Sequence, residues 1–192
     1  KNMEKSMLVL QSDLRTLTAK GVPYQETAIQ VSGGTLIINP INSLEPQARF
    51  NITYSGESHY FYPGELRFDS SDGTQTVALE NGAVLYRNWN SPGSAMLADP
   101  TWFYDDLTNT YVLTIICLDA SSYMGQTGIG YVKMQLTDSN TSGPYQLLDD
   151  TIQYEENPLY NYRTAWNNYL KSPELHLIET PPSSGIFKFE NF

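Results

Sequence analysis

The stretch Asn2-Met3-Glu4-Lys5-Ser6-Met7-Leu8-Val9-Leu10-Gln11-Ser12-Asp13-Leu14-Arg15-Thr16-Leu17-Thr18-Ala19 sets the frame for the rest of the chain. Met3, Met7, Leu10, Leu14 and Leu17 recur at steps of four and three, which keeps all five on one stripe of an α-helix. Glu4, Lys5, Ser12, Asp13 and Arg15 fall on the other side. Lys20-Gly21 then provides a basic last turn and a residue suited to the left-handed cap, and Pro23 blocks continuation. Nearly everything downstream carries strand chemistry. The pattern predicts an N-terminal helix over 1–20 whose stripe docks on a sheet built by a single β-rich domain over 21–192.

Outward from the helix, Thr27–Ser32 and Thr35–Asn39 flank Gly33-Gly34, a two-residue turn signal that predicts a hairpin. Residues 41–46 read as a loop between Pro40 and Pro46. Ala48–Tyr54 alternates, with Phe50, Ile52 and Tyr54 on one face. Leu66-Arg67-Phe68 leads into the turn cluster Asp69-Ser70-Ser71-Asp72-Gly73, followed by Thr74–Glu80, the hairpin signal Asn81-Gly82, and Ala83–Arg87. Ser94–Leu97 and Thr101–Tyr104 are short strands. Tyr111–Leu118 is a continuous apolar run, as expected of a central strand buried on both faces. Residues 125–130 read as a loop and Tyr131–Thr137 alternates again. Asn157 as N-cap and Pro158 as first residue predict a second short helix over 158–171, with Leu159, Tyr162, Trp166 and Tyr169 as its apolar positions. Glu174–Glu179 and Gly185–Phe189 close the chain as strands. The fold class is therefore mainly β (α+β), an amphipathic helix packed on an antiparallel β-sandwich or twisted sheet.

A chain of 192 residues buries about 70% of its unfolded surface, enough to fold without disulfides or metal. Charged residues are only 17%, and the net charge is −10. No basic face for phosphate is visible, which excludes nucleic acid as a partner, and the same charge opposes docking on anionic lipid. The single cysteine, Cys117, lies in the apolar run Thr114–Leu118 and is expected to be a buried, inert thiol. No run approaches the ~20 apolar residues of a membrane span. The chain starts at Lys1 rather than Met, which leads us to expect a processed or omitted leader.

The order of these pieces resembles a family of uncharacterised archaeal surface proteins related to type IV pilins and archaellins. The similarity lies in Leu14-Arg15-Thr16-Leu17 with the pair around Gly33-Gly34-Thr35-Leu36, and in Gly64-Glu65-Leu66-Arg67-Phe68 with Thr76–Val84. It continues in Ala95-Met96-Leu97 with Pro100–Tyr104 and the strand after it, and in the aromatic helix Tyr160–Tyr169. The resemblance implies a pilin-like, membrane-anchored, extracellular cell-surface protein with a structural or interaction role. It further implies a hydrophobic membrane helix preceding α-helical residues 1–20, and self-assembly or contact with other surface proteins. It supplies no catalytic residues.

Searches for chemistry point the same way. His59 and His176 belong to no metal-binding spacing, no Gly-x-Ser-x-Gly elbow exists, and a Cys117–histidine dyad would need an electropositive setting that the apolar run does not offer. Asp105-Asp106, Asp149-Asp150 and Glu155-Glu156 are sequence neighbours, not carboxylates placed about 5 to 10 Å apart across a cleft. Asp69–Gly73 lacks the spacing and terminal Glu of an EF-hand loop. The sequence therefore predicts no enzyme activity, no metal and no cofactor. Two N-glycosylation patterns remain, Asn51-Ile52-Thr53 and Asn140-Thr141-Ser142, so the protein is a candidate glycoprotein at Asn51 and Asn140. With 14 Tyr and 3 Trp, an alternative reading is a carbohydrate-binding β-sandwich module that stacks sugars on exposed Tyr60, Tyr62, Trp102 and Tyr104.

Overall fold

A computed structural model describes residues 2–121 and 124–190. The helix α1 spans Asn2–Lys20 and stops where Gly21 takes φ +64°, the left-handed conformation that a Cβ would disfavour. Lys1 lies outside the described residues. Thirteen strands follow among the described residues: β1 (Tyr24–Asn39), β2 (Arg49–Tyr54), β3 (Glu57–Phe61), β4 (Glu65–Ser70), β5 (Gln75–Glu80), β6 (Ala83–Asn88), β7 (Ala95–Ala98), β8 (Trp102–Asp105), β9 (Thr110–Leu113), β10 (Met124–Gln135), β11 (Thr151–Glu155), β12 (Leu177–Glu179) and β13 (Ile186–Phe189). The helix α2 covers Arg163–Leu170, and Pro173–Leu175 forms a single 3-10 turn.

These elements stack in layers. The first sheet has strand order β10-β1-β4-β5-β6-β7, the second β12-β13-β11-β2-β3, and β8 with β9 makes a separate ribbon; every pairing is antiparallel. The helix α1 lies on one face of the first sheet, with Met3, Met7, Leu10 and Leu14 packed against Leu36, Leu66, Phe68, Val77, Leu79 and Val84. The opposite face packs on the second sheet and α2 around Phe50, Ile152, Tyr154, Trp166 and Phe187. Because β4 to β6 are covered on both sides, Val77 and Leu79 serve the helix while Ala78 serves the second core, and β5 shows no exposed alternate positions beyond Gln75.

All five stripe residues are buried. Each contributes about 2 kcal/mol when taken out of water. Gln11 lies beside the stripe and clamps the helix to the β5–β6 turn, donating from Nε2 to Gly82 O (2.8 Å) and Asp99 O (3.0 Å), while Arg15 Nη2 donates to Asp99 O at 2.7 Å. The turn itself has Asn81 at φ +47° and Gly82 at +75°, the two left-handed residues that a twisted hairpin requires.

Six expectations are corrected. Gly33-Gly34 is not a hairpin turn but a bulge within the single strand β1, where pairing with β10 shifts register between Val31 and Leu36. Gly33 takes φ +72°, and a Cβ on Gly34 would sit 2.1 Å from the carbonyl of Asp69 and 2.7 Å from the Phe68 ring. The glycine-rich stretch 125–130 is not a loop either, because it pairs with β1 as part of β10. The apolar run Tyr111–Leu118 is not a central strand: only Thr110–Leu113 pairs, with β8. Beyond it residues 114–118 form no strand and are held by Ile116 N donating to Asn81 Oδ1 and Leu118 N to Pro63 O. Cys117 is consequently exposed, although its apolar neighbours still raise the thiol pKa by desolvation. The second helix starts at Arg163 rather than 158, because Asn157 Oδ1 accepts from Leu159 N and Asn161 Oδ1 from Arg163 N. These two local turns consume the residues that the sequence pattern assigns to a first helical turn. In the tail, the strand expected from Glu174 is shortened to β12 by the 3-10 turn.

Candidate functional site: a polar layer between the sheets

Alternation along β4 sends Leu66 and Phe68 toward α1 and Glu65, Arg67 and Asp69 to the opposite face. Register then places Asn39 opposite Glu65, Ala78 opposite Arg67 and Thr76 opposite Asp69, with Glu80 two residues along β5. A face that would carry charges into water is covered here by α2, the 157–162 turns and the second sheet. Glu65, Arg67 and Glu80 are each at most 4% exposed.

Buried charges persist only when paired and hydrogen-bonded, and these are. The Arg67 guanidinium donates to Glu65 Oε1 through Nη1 and to both Asp69 oxygens through Nε (3.0 and 3.1 Å). It lies 3.5 Å from the centroid of the Tyr160 ring. The Tyr160 hydroxyl and Thr76 Oγ1 donate to Asp69, and Trp89 Nε1 donates to Thr76. Across the layer, Tyr154 OH and Trp166 Nε1 both donate to Glu80 Oε1 at 2.9 Å. Burial opposes the charge on Arg67, yet Glu65 and Asp69 outweigh it and hold the guanidinium's pKa above its usual value. Burial pushes Glu65 upward, with Arg67 working against it. Burial, followed by the nearby Glu65 charge, takes Glu80 up to about 8. The Tyr162 hydroxyl lies near enough to favour the ionised Glu65 but lacks hydrogen-bond geometry to any protein group.

Beside this network is a cavity of about 10 Å³ lined by Asn39, Gln47, Ala48, Gly64, Glu65, Glu80 and Asn157, room for one water-sized sphere. A wider groove of about 350 Å³ opens elsewhere, between the start of α1, the bulge of β1, the end of β4 and the start of β5, along Met3, Glu4, Ser32, Gly33, Phe68 and Gln75.

The residues singled out from sequence are dispersed. Tyr60 and Tyr62 do come together, 47% and 41% exposed, with Arg49 stacked 4.1 Å from the Tyr60 centroid and donating to Tyr62 OH at 3.0 Å. Glu155 pairs with the same arginine. Trp102 is not on that surface. It is a core residue, 6% exposed, with Nε1 donating to Thr114 O and its ring against Phe50 and Trp166. Tyr104 packs on Tyr111 and His176 in another place. The four aromatics therefore make no single platform. Asn140 sits in an exposed loop, whereas Asn51 is half-buried between β11 and β3 with Oδ1 enclosed.

His59 stacks on Tyr54 and bonds Tyr54 O, and His176 lies between Asp106 and Glu190. Among the described residues no three His, Cys, Asp or Glu side chains converge as a metal-ligating group. The carboxylate pairs serve local structure: Asp105 caps Leu107 and Thr108, Asp149 pairs with Lys188, Asp150 accepts from Leu148 N, and Glu155 and Glu156 pair with Arg49 and Arg163. In the 69–73 turn, Asp72 Oδ1 accepts from Ser70 Oγ, Thr74 N and Thr74 Oγ1, which draws its pKa down to about 2.

The sequence contained one signal for the polar layer, the spacing Glu65, Arg67, Asp69, which puts three charges on one strand face. Such a face normally meets solvent, so the spacing alone does not announce burial. Comparison with protein-family models, with curated proteins and with solved structures finds no match for the chain.

Proposed function

We propose that this chain is the head of a pilin-like archaeal cell-surface protein, extracellular and displayed on its N-terminal helix, with a structural or interaction role rather than a catalytic one. One observation carries the reading: the complete stripe Met3, Met7, Leu10, Leu14 and Leu17 is buried, with α1 laid on one face of an antiparallel sheet. In a pilin-like architecture the helix that follows the membrane span lays its apolar stripe on a β-sheet in this way. Supporting it, Glu65, Arg67 and Glu80 are engaged with protein partners, and the cavity beside them is about 10 Å³, too small for an organic substrate. No helix among the described residues is long and apolar enough to cross a membrane, so the reading places the anchor in a segment preceding α1. The test is fractionation of the protein as its own cells make it. Sedimentation with membranes and release only by detergent is the expected result; recovery in the soluble fraction would remove the anchoring claim.

A second reading, a glycan-binding head, draws on exposed Tyr60 and Tyr62 beside Arg49. It requires binding on a glycan array that disappears in Tyr60→Ala.

A further inference from the structure

The first sheet ends on one side at β10, which among the described residues has β1 as its one neighbour. The other margins of the two large sheets are short: β7 runs four residues, β12 three and β3 five. β10 runs twelve, and the N–H and C=O groups on its outer side form a row that a further strand can pair with. Gly128, at φ +83°, breaks the extended geometry, so the regular part of this edge is residues 129–135. Register with β1 sets the facing. Gly130 and Val132 lie opposite Ile29 and Thr27 on the α1 side, where Val132 packs against the core under the helix. Ile129, Tyr131 and Lys133 take the other face, and no residue of β1 or β10 belongs to the core beneath the second sheet. Ile129 is therefore 77% and Tyr131 63% exposed.

A chain of net charge −10 repels its own copies over most of its surface. β10 carries no carboxylate and a single cation, Lys133, so two copies can meet along it without that repulsion. An antiparallel edge is complementary to itself, and a two-fold axis repeats every contact. Paired strands match residues of like facing, which sets the axis on a residue. An axis at Lys133 would oppose two ammonium groups. An axis at Val132, the centre of 129–135, pairs the whole regular stretch and sets Tyr131 against the partner's Lys133, twice. We propose that two copies of this chain join antiparallel along β10 about a two-fold axis at Val132, making one continuous sheet across the dimer. The pairing needs no membrane anchor and is independent of the surface-display reading.

The experiment uses the purified chain in reducing buffer. Sedimentation equilibrium from micromolar to millimolar concentration should show a species near twice 21.6 kDa. Over the same range the amides of 129–135 should gain protection from hydrogen exchange, which side-chain contact alone would not produce. Tyr131→Lys sets a lysine against the partner's Lys133 at both ends of the pairing, and like charges directly opposite are destabilising. Because Tyr131 is largely exposed, the variant should keep its circular dichroism while its dimer weakens by about tenfold or more. A monomer at every concentration would overturn the proposal. So would a dimer that Tyr131→Lys leaves intact, one whose 129–135 amides exchange as in the monomer, or open-ended growth past the dimer.

Discussion

Truncating Leu10 to Ala isolates the contact on which the architecture turns. Leu10 is 0% exposed in the core between α1 and the first sheet, while its neighbour Leu8 is 39% exposed on the outer side of the same helix. Alanine is the better helix former of the two, so intrinsic propensity favours the variant and any loss of stability comes from packing. A buried Leu→Ala change removes transfer free energy and leaves a cavity, about 3 kcal/mol in a site that relaxes partially. For a chain of this length that corresponds to a fall of roughly 6 to 12 °C in the unfolding midpoint. Leu8→Ala should stay within about 1 kcal/mol of the parent, because half-exposed apolar side chains contribute little. Urea unfolding followed by tryptophan fluorescence, with calorimetry for the midpoint, measures both variants at one pH. Equal losses for the two, or a loss below about 1 kcal/mol for Leu10→Ala, would refute the docked stripe.

Gly34→Ala places a Cβ 2.1 Å from the Asp69 carbonyl and is expected to cost about 1 to 3 kcal/mol or more by overpacking, read from the urea midpoint. Gly33→Asn, whose position has open space and a left-handed backbone, should cost less. Arg67→Met breaks a buried ion pair on one side only and should destabilise by about 3 to 5 kcal/mol, whereas Lys171→Met at a half-exposed pair should change stability by less than about 1 kcal/mol. Asp72 has a folded pKa of about 2 against 3.8 in a free chain. Its contribution is therefore complete above about pH 4 and is lost as pH falls through about 2. Asp72→Ala should flatten the stability profile across that window; an unchanged slope in acid unfolding would contradict the turn geometry.

What was legible from the residues follows the period of the pattern. The stripe of α1 could be read because one face is buried and the other wet, and the Asn81-Gly82 hairpin could be read because its turn type demands those residues. Gly33-Gly34 misled because two glycines serve a hairpin turn and a bulge equally well. The deciding fact is the Asp69 carbonyl and Phe68 ring pressing on Gly34, a contact some 35 positions away in sequence. Tyr111–Leu118 misled because an apolar run says only that burial is available, not that strand partners are. The polar layer was hidden for the opposite reason: Glu65, Arg67 and Asp69 look like a solvent face until α2 and Tyr160 cover them. The small cavity beside that layer depends on Asn39, Gln47 and Glu65 meeting across two strands and a loop, and no local signal encodes that meeting.

The exposed Cys117 is the sole cysteine of the chain and offers a direct measure of where the head resides. Intact cells are treated with a membrane-impermeant maleimide at mildly alkaline pH, which offsets the raised thiol pKa, and the labelled fraction is compared with that of lysed cells. Surface display predicts equal labelling in both samples and none in Cys117→Ser. Labelling only after lysis would contradict it.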